Sequence, residues 1–239
     1  MAVFEWRALK GRRRAGPTGF IVTIGRWLAV VGLMAALSAR AAEAKTESKT
    51  VVVLGDSLAA GFGLDPAEAF PALLQKKIDA AGWNYTVVNA GVSGDTSADG
   101  LGRINWLLRR KIDVLILELG ANDGLRGIPV EATRTNLQAI MDRTKQKYPE
   151  AQVILAGMYL PPNLGQEYTS AFRRIFEELA KTNHAALVPF LLEGVGGKAE
   201  LNQADRIHPT AEGQKIVAEN VWKELKPVLE RDRKGEKEH

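Results

Sequence analysis

Short apolar runs alternate with longer amphipathic stretches from residue 50 onward, and this alternation predicts the secondary structure. Runs bounded by turn residues predict five strands, at residues 50–54, 85–88, 114–119, 152–156 and 186–188. Between and after them, longer periodic stretches predict five helices, at residues 66–81, 96–111, 130–148, 166–182 and 209–229. Apolar strands that alternate with helices are typical of an α/β fold with a parallel sheet covered on both faces.

Small polar residues and glycines follow the first four predicted strands. The chain continues with Gly55-Asp56-Ser57-Leu58 after the first strand, and with residues 89–97, 120–124 and 160–163 after the next three. The fifth strand instead leads to residues 205–209, directly before the last helix. Because ligands of open α/β sheets bind beyond the carboxyl ends of the strands, we expect these segments to converge on one site.

Three of these residues have the side chains of a catalytic triad. Ser57 is predicted at a strand-to-helix turn, but a serine hydroxyl is a weak nucleophile unless a positioned base removes its proton. His208 is the candidate base, because an imidazole titrates near neutral pH. Asp205, three residues earlier, would bind the other ring nitrogen and fix the tautomer. The two other histidines of the chain, His184 and His239, lie in a polar connection and at the carboxyl end.

Acyl transfer also needs donors for the negative charge that develops on the carbonyl oxygen, worth about 3 kcal/mol each. The backbone N–H groups of Ser57 and Gly94 and the side-chain amide of Asn122 are candidates, each after a different strand. Each candidate also has a structural interpretation, with Ser57 as a helix N-cap and the other two as turn or cap residues. Asp205 and Pro209 would likewise serve only to start the last helix. Their predicted convergence on one sheet edge favours acyl-transfer chemistry.

Together these residues resemble the SGNH, or GDSL-type, hydrolase family. The resemblance rests on Gly55-Asp56-Ser57-Leu58, Gly94, Asn122 and Asp205-x-x-His208, which occur in the family's order and span nearly the whole chain after residue 44. Residues 88–97, 118–127 and 205–209 are similar to bacterial periplasmic esterases of the acyl-CoA thioesterase I, protease I, lysophospholipase and arylesterase type. The absence of Gly-x-Ser-x-Gly argues against an α/β-hydrolase elbow.

The resemblance implies a flavodoxin-like, three-layer α/β/α fold with a five-stranded parallel sheet. It implies Ser57 as the nucleophile, His208 as the base and Asp205 as the residue that orients the base. It also implies an oxyanion hole formed by Ser57, Gly94 and Asn122. The implied reaction is hydrolysis of a carboxylic ester or thioester through an acyl-enzyme on Ser57, with no metal and no organic cofactor.

The resemblance also extends to substrate binding. A substrate-binding loop is implied at residues 124–129 and an acyl groove further along the chain, and the residues expected to contact substrate are Gly124, Leu125, Arg126, Leu160 and Pro161. Asp56 belongs to the first motif, and we interpret it as a hydrogen-bonding brace for the turn rather than a proton donor.

Other functions stay open on sequence grounds. A carbohydrate O-acetyl esterase of the same superfamily would use the same residues, although no aromatic platform for a sugar is evident near the motifs. A non-catalytic binding protein on the same scaffold would be favoured by a missing triad member, and none is missing. A flavin or nucleotide site lacks support, because neither a phosphate-binding loop nor Gly-x-Gly-x-x-Gly follows the first strand.

Charge separates the first 44 residues from the rest of the chain. They hold seven basic and two acidic residues, whereas residues 45–239 hold 25 basic against 26 acidic, so the net charge of +4 originates in the N-terminal segment. Residues 45–239 thus lack the excess of positive charge that would favour binding to a nucleic acid, and we expect no nucleic-acid partner. Basic residues, an uncharged run at 27–37 and small residues up to 44 predict a secretory signal peptide cleaved near 41–44. The alternative is an uncleaved anchor over residues 16–39, which Arg26 disfavours.

The remaining chain is long enough for one domain. We expect a hydrolase domain at residues 45–230 and a charged tail at 231–239 that frays. The chain has no cysteine, which excludes disulfides, a cysteine nucleophile and a thiolate metal site. We expect a periplasmic or secreted bacterial monomer that acts on a small-molecule or lipid ester, with no stable membrane span after signal cleavage.

Overall fold

A single parallel sheet forms the centre of the structure, a computed structural model that describes residues 48–235. Its strands are β1 (Lys49–Gly55), β2 (Tyr85–Gly91), β3 (Val114–Glu118), β4 (Gln152–Ala156) and β5 (Ala186–Val188). Their order across the sheet is β2-β1-β3-β4-β5, and each neighbouring pair is parallel. The predicted α/β fold with a five-stranded parallel sheet is confirmed.

Helices accompany the sheet between and after its strands. Within residues 48–235 the α-helices are α1 (Ser57–Ala60), α2 (Phe70–Ala80), α3 (Ser97–Leu107), α4 (Ala121–Leu125), α5 (Val130–Lys147), α6 (Gln166–Thr182) and α7 (Ala211–Gly235). Single turns of 3₁₀-helix lie at Pro66–Glu68, Pro162–Leu164 and Ala199–Leu201. Helix α2 packs against α7, while α5 packs against both α3 and α6, which gives two groups of helices around the sheet.

The two central strands are buried on both faces. Val51, Val53 and Leu54 of β1 are fully buried, as are all the apolar residues of β3. Each side chain of this size that leaves water contributes about 1.5–3 kcal/mol to folding. This packing fixes the points at which the chain leaves β1 and β3, and both exits carry candidate site residues.

The outer edge of β2 is closed by side chains rather than by another strand. Gln75 of α2 accepts the N–H of Val87 through Oε1 at 2.6 Å and donates through Nε2 to the carbonyl of Tyr85 at 3.0 Å. The side chain of Asn89 accepts the N–H of Gly91 at 2.9 Å. Polar backbone groups at a sheet edge are thereby satisfied within the chain itself.

Two short helices were not predicted. The helices α1 and α4 have four and five residues, too few to show a periodic apolar pattern. Strand β2 runs three residues beyond its predicted end at residue 88, because its pairing with β1 continues to Gly91. Both short helices begin within three residues of the end of a strand and carry candidate site residues.

The last helix differs from its prediction at both ends. It begins at Ala211 rather than 209, because Pro209 pairs with Asn202 in an isolated bridge. It continues past residue 230 to Gly235, so the predicted fraying of the tail is wrong for its first five residues. Asp232 explains the extension: its carboxylate accepts hydrogen bonds from Lys49 Nζ at 2.6 Å and Tyr85 Oη at 2.5 Å.

Part of the domain prediction lies outside the described residues. The predicted signal peptide at 1–44, its cleavage region and the last four residues of the tail all fall there. In the part of the chain that the structure describes, none of the helices combines the length and apolar character needed to cross a membrane.

Candidate active site

Ser57 lies at the turn between β1 and α1, here named the nucleophile turn (residues 55–58). The side chain of Asp56 caps α1, because its Oδ1 accepts the N–H of Leu58 at 2.9 Å. Within residues 48–235 the backbone N–H of Ser57 has no hydrogen-bond acceptor, as is usual for the first N–H groups of a helix. The turn therefore presents a hydroxyl and an available N–H donor together.

The structure brings Ser57, His208 and Asp205 into one hydrogen-bonded chain. Nε2 of His208 lies 2.8 Å from Oγ of Ser57. Nδ1 of the same ring lies 2.6 Å from Oδ2 of Asp205. With the proton on Nδ1, the ring donates to the carboxylate and its Nε2 accepts from the serine hydroxyl. A serine, a histidine and a carboxylate in this arrangement define the class of serine hydrolases.

Asp205 is held by the loop that also carries the histidine, here named the base loop (residues 203–209). Its Oδ1 accepts the N–H of Ile207 at 2.9 Å and the N–H of His208 at 3.0 Å. The hydrogen bond with the His208 ring, followed by these two backbone bonds, lowers the pKa of Asp205 to about 2. The carboxylate thus stays ionised across the neutral and mildly acidic range. Arg206, between the two, has a left-handed backbone with φ of 62°.

The base loop has two further contacts with the rest of the domain. The ring of Phe62 lies over that of His208, with their centroids 4.5 Å apart. The side chain of Gln203 donates to the carbonyl of Phe62 at 2.7 Å. Within the loop, the backbone N–H of Gln203 donates to the carbonyl of His208 at 2.7 Å. These contacts set the plane of the imidazole opposite the nucleophile turn.

Asn122 enters the site from the start of α4. Its Nδ2 donates to Oδ2 of Asp56 at 3.1 Å and to the carbonyl of Asp95 at 3.0 Å. Asp56 is buried, and its carboxylate accepts hydrogen bonds from both the start of α1 and this amide, in keeping with the interpretation of Asp56 as a brace for the turn. Burial raises the pKa of Asp56 to about 6, against the hydrogen bond from Leu58 and the charge of His208. Both amide hydrogens of Asn122 already have acceptors, so an oxyanion contact requires one of them to be shared.

Gly94 lies in the loop between β2 and α3, with φ of 88°, a conformation that favours glycine. Its N–H has no hydrogen-bond acceptor within residues 48–235, while its carbonyl accepts a hydrogen bond from Nη2 of Arg126 at 2.9 Å. The same loop is tied to the sheet by Arg103, which donates to Asp95 at 2.7 Å and to the carbonyl of Gly55 at 3.0 Å. Arg103 was not predicted, because a helical arginine has no local signature of such a role.

A buried pair, also missed, connects the loops of Gly94 and Asn122. Asp123 is fully buried, and its carboxylate accepts the Ser97 N–H at 2.8 Å and the Ser97 hydroxyl at 2.5 Å. Thr133 donates to the same carboxylate at 3.2 Å, and Asn136 donates to the hydroxyl of Ser97 at 3.0 Å. The pair fixes the start of α3 against α4, and with it the spacing of the two candidate oxyanion donors.

An apolar cavity of about 510 Å³ opens beside Ser57 and His208. Its hydrophobic and proline lining is formed by Leu58, Ala121, Leu125, Met158, Tyr159, Leu160, Pro161, Pro162, Phe190, Leu192 and Ile207. The rings of Tyr159 and Phe190 are stacked, with centroids 4.3 Å apart and planes 2° apart. An apolar pocket with a few convergent polar groups at one side is the usual form of a small-molecule site.

The predicted substrate-binding residues divide into two groups. Leu125, Leu160 and Pro161 line the cavity, whereas Gly124 and Arg126 are not among its lining residues. Gly124 packs behind Leu160, since a Cβ added there would lie 2.3 Å from a Leu160 methyl carbon. Arg126 instead binds the Gly94 carbonyl.

Two further features complete the picture of the site. Phe190, which lines the cavity, was not predicted, because no site residues are predicted directly after the fifth strand.

In residues 48–235, no three His, Asp or Glu side chains are grouped closely enough to hold a metal ion.

Comparison with known proteins agrees with this geometry. The model of the GDSL-like lipase/acylhydrolase family matches residues 53–216. The chain is 45% identical over 183 residues to Esterase TesA of Pseudomonas aeruginosa, covering 76% of this chain and 90% of that protein. It is 38% identical over 208 residues to Thioesterase 1/protease 1/lysophospholipase L1 of Escherichia coli K12, covering 87% of this chain and 96% of that protein. A crystal structure of TesA matches with a TM-score of 0.72 at 45% identity, over 75% of this chain and 99% of that one.

The chain belongs to the GDSL-like lipase/acylhydrolase family, and the resemblance drawn from the sequence motifs is confirmed. It is a serine esterase with the α/β fold of the SGNH hydrolases.

Proposed function

We propose that the chain hydrolyses carboxylic esters and thioesters through an acyl-enzyme on Ser57, with an apolar acyl group bound in the cavity. The observation that carries the proposal is the hydrogen-bonded chain from Ser57 through His208 to Asp205, at the wall of an apolar cavity of about 510 Å³. Each of its three members has the partner that its proposed role requires.

In the acylation step, Oγ of Ser57 attacks the acyl carbon while Nε2 of His208 takes its proton. The carbonyl π electrons move to the oxygen, which becomes an oxyanion. Asp205, ionised because of its lowered pKa, stabilises the imidazolium that forms. Collapse of the intermediate breaks the bond to the leaving group, and the departing alkoxide or thiolate receives the proton from Nε2.

Deacylation repeats the sequence with water as the nucleophile. His208 takes a proton from the water, the hydroxide oxygen bonds to the acyl carbon, and the bond to Ser57 Oγ breaks. The proton then returns to Ser57, which restores the resting enzyme and releases the carboxylic acid.

The oxyanion is proposed to bind the N–H groups of Ser57 and Gly94, which have no acceptor within the described residues. The amide of Asn122 is proposed as the third donor, sharing one hydrogen that now goes to Asp56 or to the Asp95 carbonyl. Since oxyanion donors act in a water-poor site, each is worth about 3 kcal/mol of transition-state stabilisation.

The apolar lining favours an acyl chain over a bare acetyl group. Leu125 and Leu160 line the cavity together with the stacked rings of Tyr159 and Phe190. Each methylene that leaves water in such a groove contributes about 0.8 kcal/mol to binding. We propose lysophospholipids and other small acyl esters as substrates of an exported enzyme, since acyl-CoA would be scarce outside the cytoplasm.

The test is hydrolysis of p-nitrophenyl esters from acetyl to palmitoyl by the wild type, Ser57→Ala and His208→Ala. Matched controls are Ser170→Ala and His184→Ala, which change the same residue types outside the site. We expect kcat/KM to rise from acetyl towards longer chains, and Ser57→Ala to lose about 10⁴-fold or more. A maximum at acetyl would favour an arylesterase or a carbohydrate O-acetyl esterase, and wild-type rates in Ser57→Ala would contradict the mechanism.

We further propose that residues 1–44 direct export and that the mature enzyme is a monomer. The support is the basic segment before the uncharged run at 27–37 and the small residues up to Ala44. Expression in a bacterial host should yield periplasmic protein that begins near residue 42 or 45, while Leu33→Arg should retain the precursor inside. A membrane-bound product with an intact N-terminus would instead indicate an anchor, and sedimentation of the mature protein tests the monomer.

A further inference from the structure

A buried carboxyl group lies behind the nucleophile turn and has no part in the mechanism above. Glu118 is the last residue of β3 and is fully buried. Its Oε2 accepts the backbone N–H of Asp56 at 3.2 Å. Its Oε1 is the only buried side-chain polar atom of residues 48–235 that has no hydrogen-bond partner. Burying such a group is costly, so its retention at the centre of the sheet needs an explanation.

The strand next to it is shaped around this carboxyl group. Gly55 of β1 is the register partner of Glu118. A Cβ at position 55 would lie 2.3 Å from Oε2 of Glu118 and 2.6 Å from the Cβ of Ala59. The carboxyl group of Glu118 and the methyl group of Ala59 together leave room only for glycine at position 55, so the first residue of the motif is packed directly against Glu118.

The surroundings of Glu118 favour the neutral acid. Burial is the main cause that raises its pKa well above the ordinary value, and the nearby charge of Asp56 adds to it. The backbone N–H groups of Asp56 and Ala59 oppose this only in part. The nearest basic group of α3, Arg103, is directed to Asp95 and to the Gly55 carbonyl. Of the two buried carboxyl groups, Asp56 is the one left to carry the charge.

We propose that Glu118 is a positioning residue, a neutral carboxylic acid that holds the Asp56 N–H and so fixes the peptide that presents Ser57. Neutrality matters because Asp56 is then the only anion of the Asp56–Glu118 pair, and it is bonded to the Leu58 N–H and to Asn122. A second negative charge, on Glu118, would repel the Asp56 carboxylate and displace the backbone that presents Ser57. The inference rests on the proposed role of Ser57 as the nucleophile.

The test compares Glu118→Gln with Glu118→Leu. Glutamine keeps an acceptor for the Asp56 N–H, whereas leucine fills the space without one. We expect Glu118→Leu to lower kcat about 10- to 100-fold with KM within about twofold, since a small misplacement of a reacting group has effects of this size. Glu118→Gln should retain kcat within about threefold of wild type, because its oxygen replaces Oε2.

A matched control separates positioning from general loss of stability. Ile116→Ala lies two residues earlier on the same strand and is also fully buried, but it has no bond to the nucleophile turn. Assays are run well below the melting temperature of every variant. If Ile116→Ala lowers kcat as much as Glu118→Leu at equal loss of stability, or if Glu118→Gln fails to rescue, the positioning role is wrong.

Two measurements test the neutral state. The pH profiles of kcat/KM for wild type and Glu118→Gln should coincide, whereas an ionised Glu118 would shift the acidic limb of the profile to lower pH when neutralised. Infrared spectra at pH 8 should show the carbonyl stretch of a protonated carboxylic acid that Glu118→Gln lacks. Absence of that band overturns the proposal. The band does not depend on turnover. An inactive wild type or an active Ser57→Ala would therefore overturn the proposed function and leave the infrared band unchanged.

Discussion

The nucleophile turn and the base loop meet at one serine–histidine hydrogen bond, but the protein holds them in opposite ways. In the nucleophile turn, Gly55 and Asp56 are buried. Apart from the Leu58 N–H within the turn, their polar partners include three residues of other elements: Glu118, Asn122 and Arg103. In the base loop, the side chain of Asp205 is 36% exposed, and its hydrogen bonds are all made within the loop. The position of Ser57 therefore depends on residues of one neighbouring strand and two helices, and that of His208 mainly on short-range bonds.

This difference has a measurable consequence. A change in the base loop should alter activity with little effect on stability, because few contacts with the core are lost. A change at the nucleophile turn should alter both, since its side chains are buried and bonded to several elements.

Among the substitutions that test this comparison, the largest effect is expected for Asp205→Ala. Without the Asp205 carboxylate, nothing holds the proton on Nδ1 of His208 or stabilises the imidazolium. We therefore expect kcat to fall about 10³- to 10⁴-fold, leaving residual activity. The melting temperature should change by less than about 2 °C, because the residue is exposed. Steady-state kinetics and thermal unfolding check both parts, with Asp142→Ala on α5 as the control. A large drop in melting temperature would show that the base loop supports the core after all.

Asn122→Ala tests the other side of the comparison. We expect kcat to fall about 10²- to 10³-fold, with KM nearly unchanged, because the proposed donor acts mainly on the transition state. We also expect about 1 kcal/mol of destabilisation, because Oδ2 of the buried Asp56 loses its donor. Kinetics and urea unfolding provide the measurements, with Asn105→Ala on the exposed side of α3 as the control. An increase in KM alone would argue for a binding role instead.

The titration of Asp56 should appear in the pH dependence of stability. Its pKa is raised from 3.8 to about 6 in the folded protein, so the folded state binds more protons than the unfolded state between these values. Its contribution to stability is full below pH 3.8 and is lost as the pH rises through 6. Asp56→Asn does not titrate. We therefore expect its stability relative to wild type to rise by about 2–3 kcal/mol from pH 4 to pH 7.

Urea unfolding of wild type and Asp56→Asn at unit pH steps checks that expectation. Only the change with pH is diagnostic, since the substitution also places an amide group opposite Asn122 and shifts both curves by a constant amount. Parallel stability curves for the two proteins would mean that folding does not raise the pKa of Asp56.

The smallest effect is expected in the base loop. Arg206 has a left-handed φ of 62°, which disfavours any residue with a Cβ. Arg206→Gly should therefore raise stability by about 1 kcal/mol, or about 2–4 °C in melting temperature. Arg206→Ala is the matched control, because it removes the guanidinium but keeps the Cβ. An equal gain in both variants would assign the effect to the charge rather than to the backbone.

The fold and the triad could be predicted from the sequence, but the residues that hold the site in place could not. Apolar strands and periodic helices are local patterns, and residues 55–58 and 205–209 are local motifs, so both are readable along the chain. Glu118 reads as the polar end of a strand, and Arg103 as an ordinary helical cation. The bond from Asp56 to Glu118 spans 62 positions and that from Arg103 to Gly55 spans 48, and contacts so distant along the chain leave no periodic pattern. The same reason hides the Ser97–Asp123 pair.

The extent of the last helix was hidden for a different reason. Residues 231–235 are strongly charged, which is typical of a frayed end. In the structure, Asp232 binds Lys49 and Tyr85, which lie 183 and 147 positions earlier in the chain. A composition-based prediction counts charges but does not see their partners.

The side chain of Gln75 covers part of the exposed edge of β2. With one amide group it occupies a donor and an acceptor of β2 that would otherwise be open to a strand from a second copy. A neighbouring molecule would have to displace that side chain before it could extend the sheet. One side chain thereby protects this edge strand against edge-to-edge aggregation.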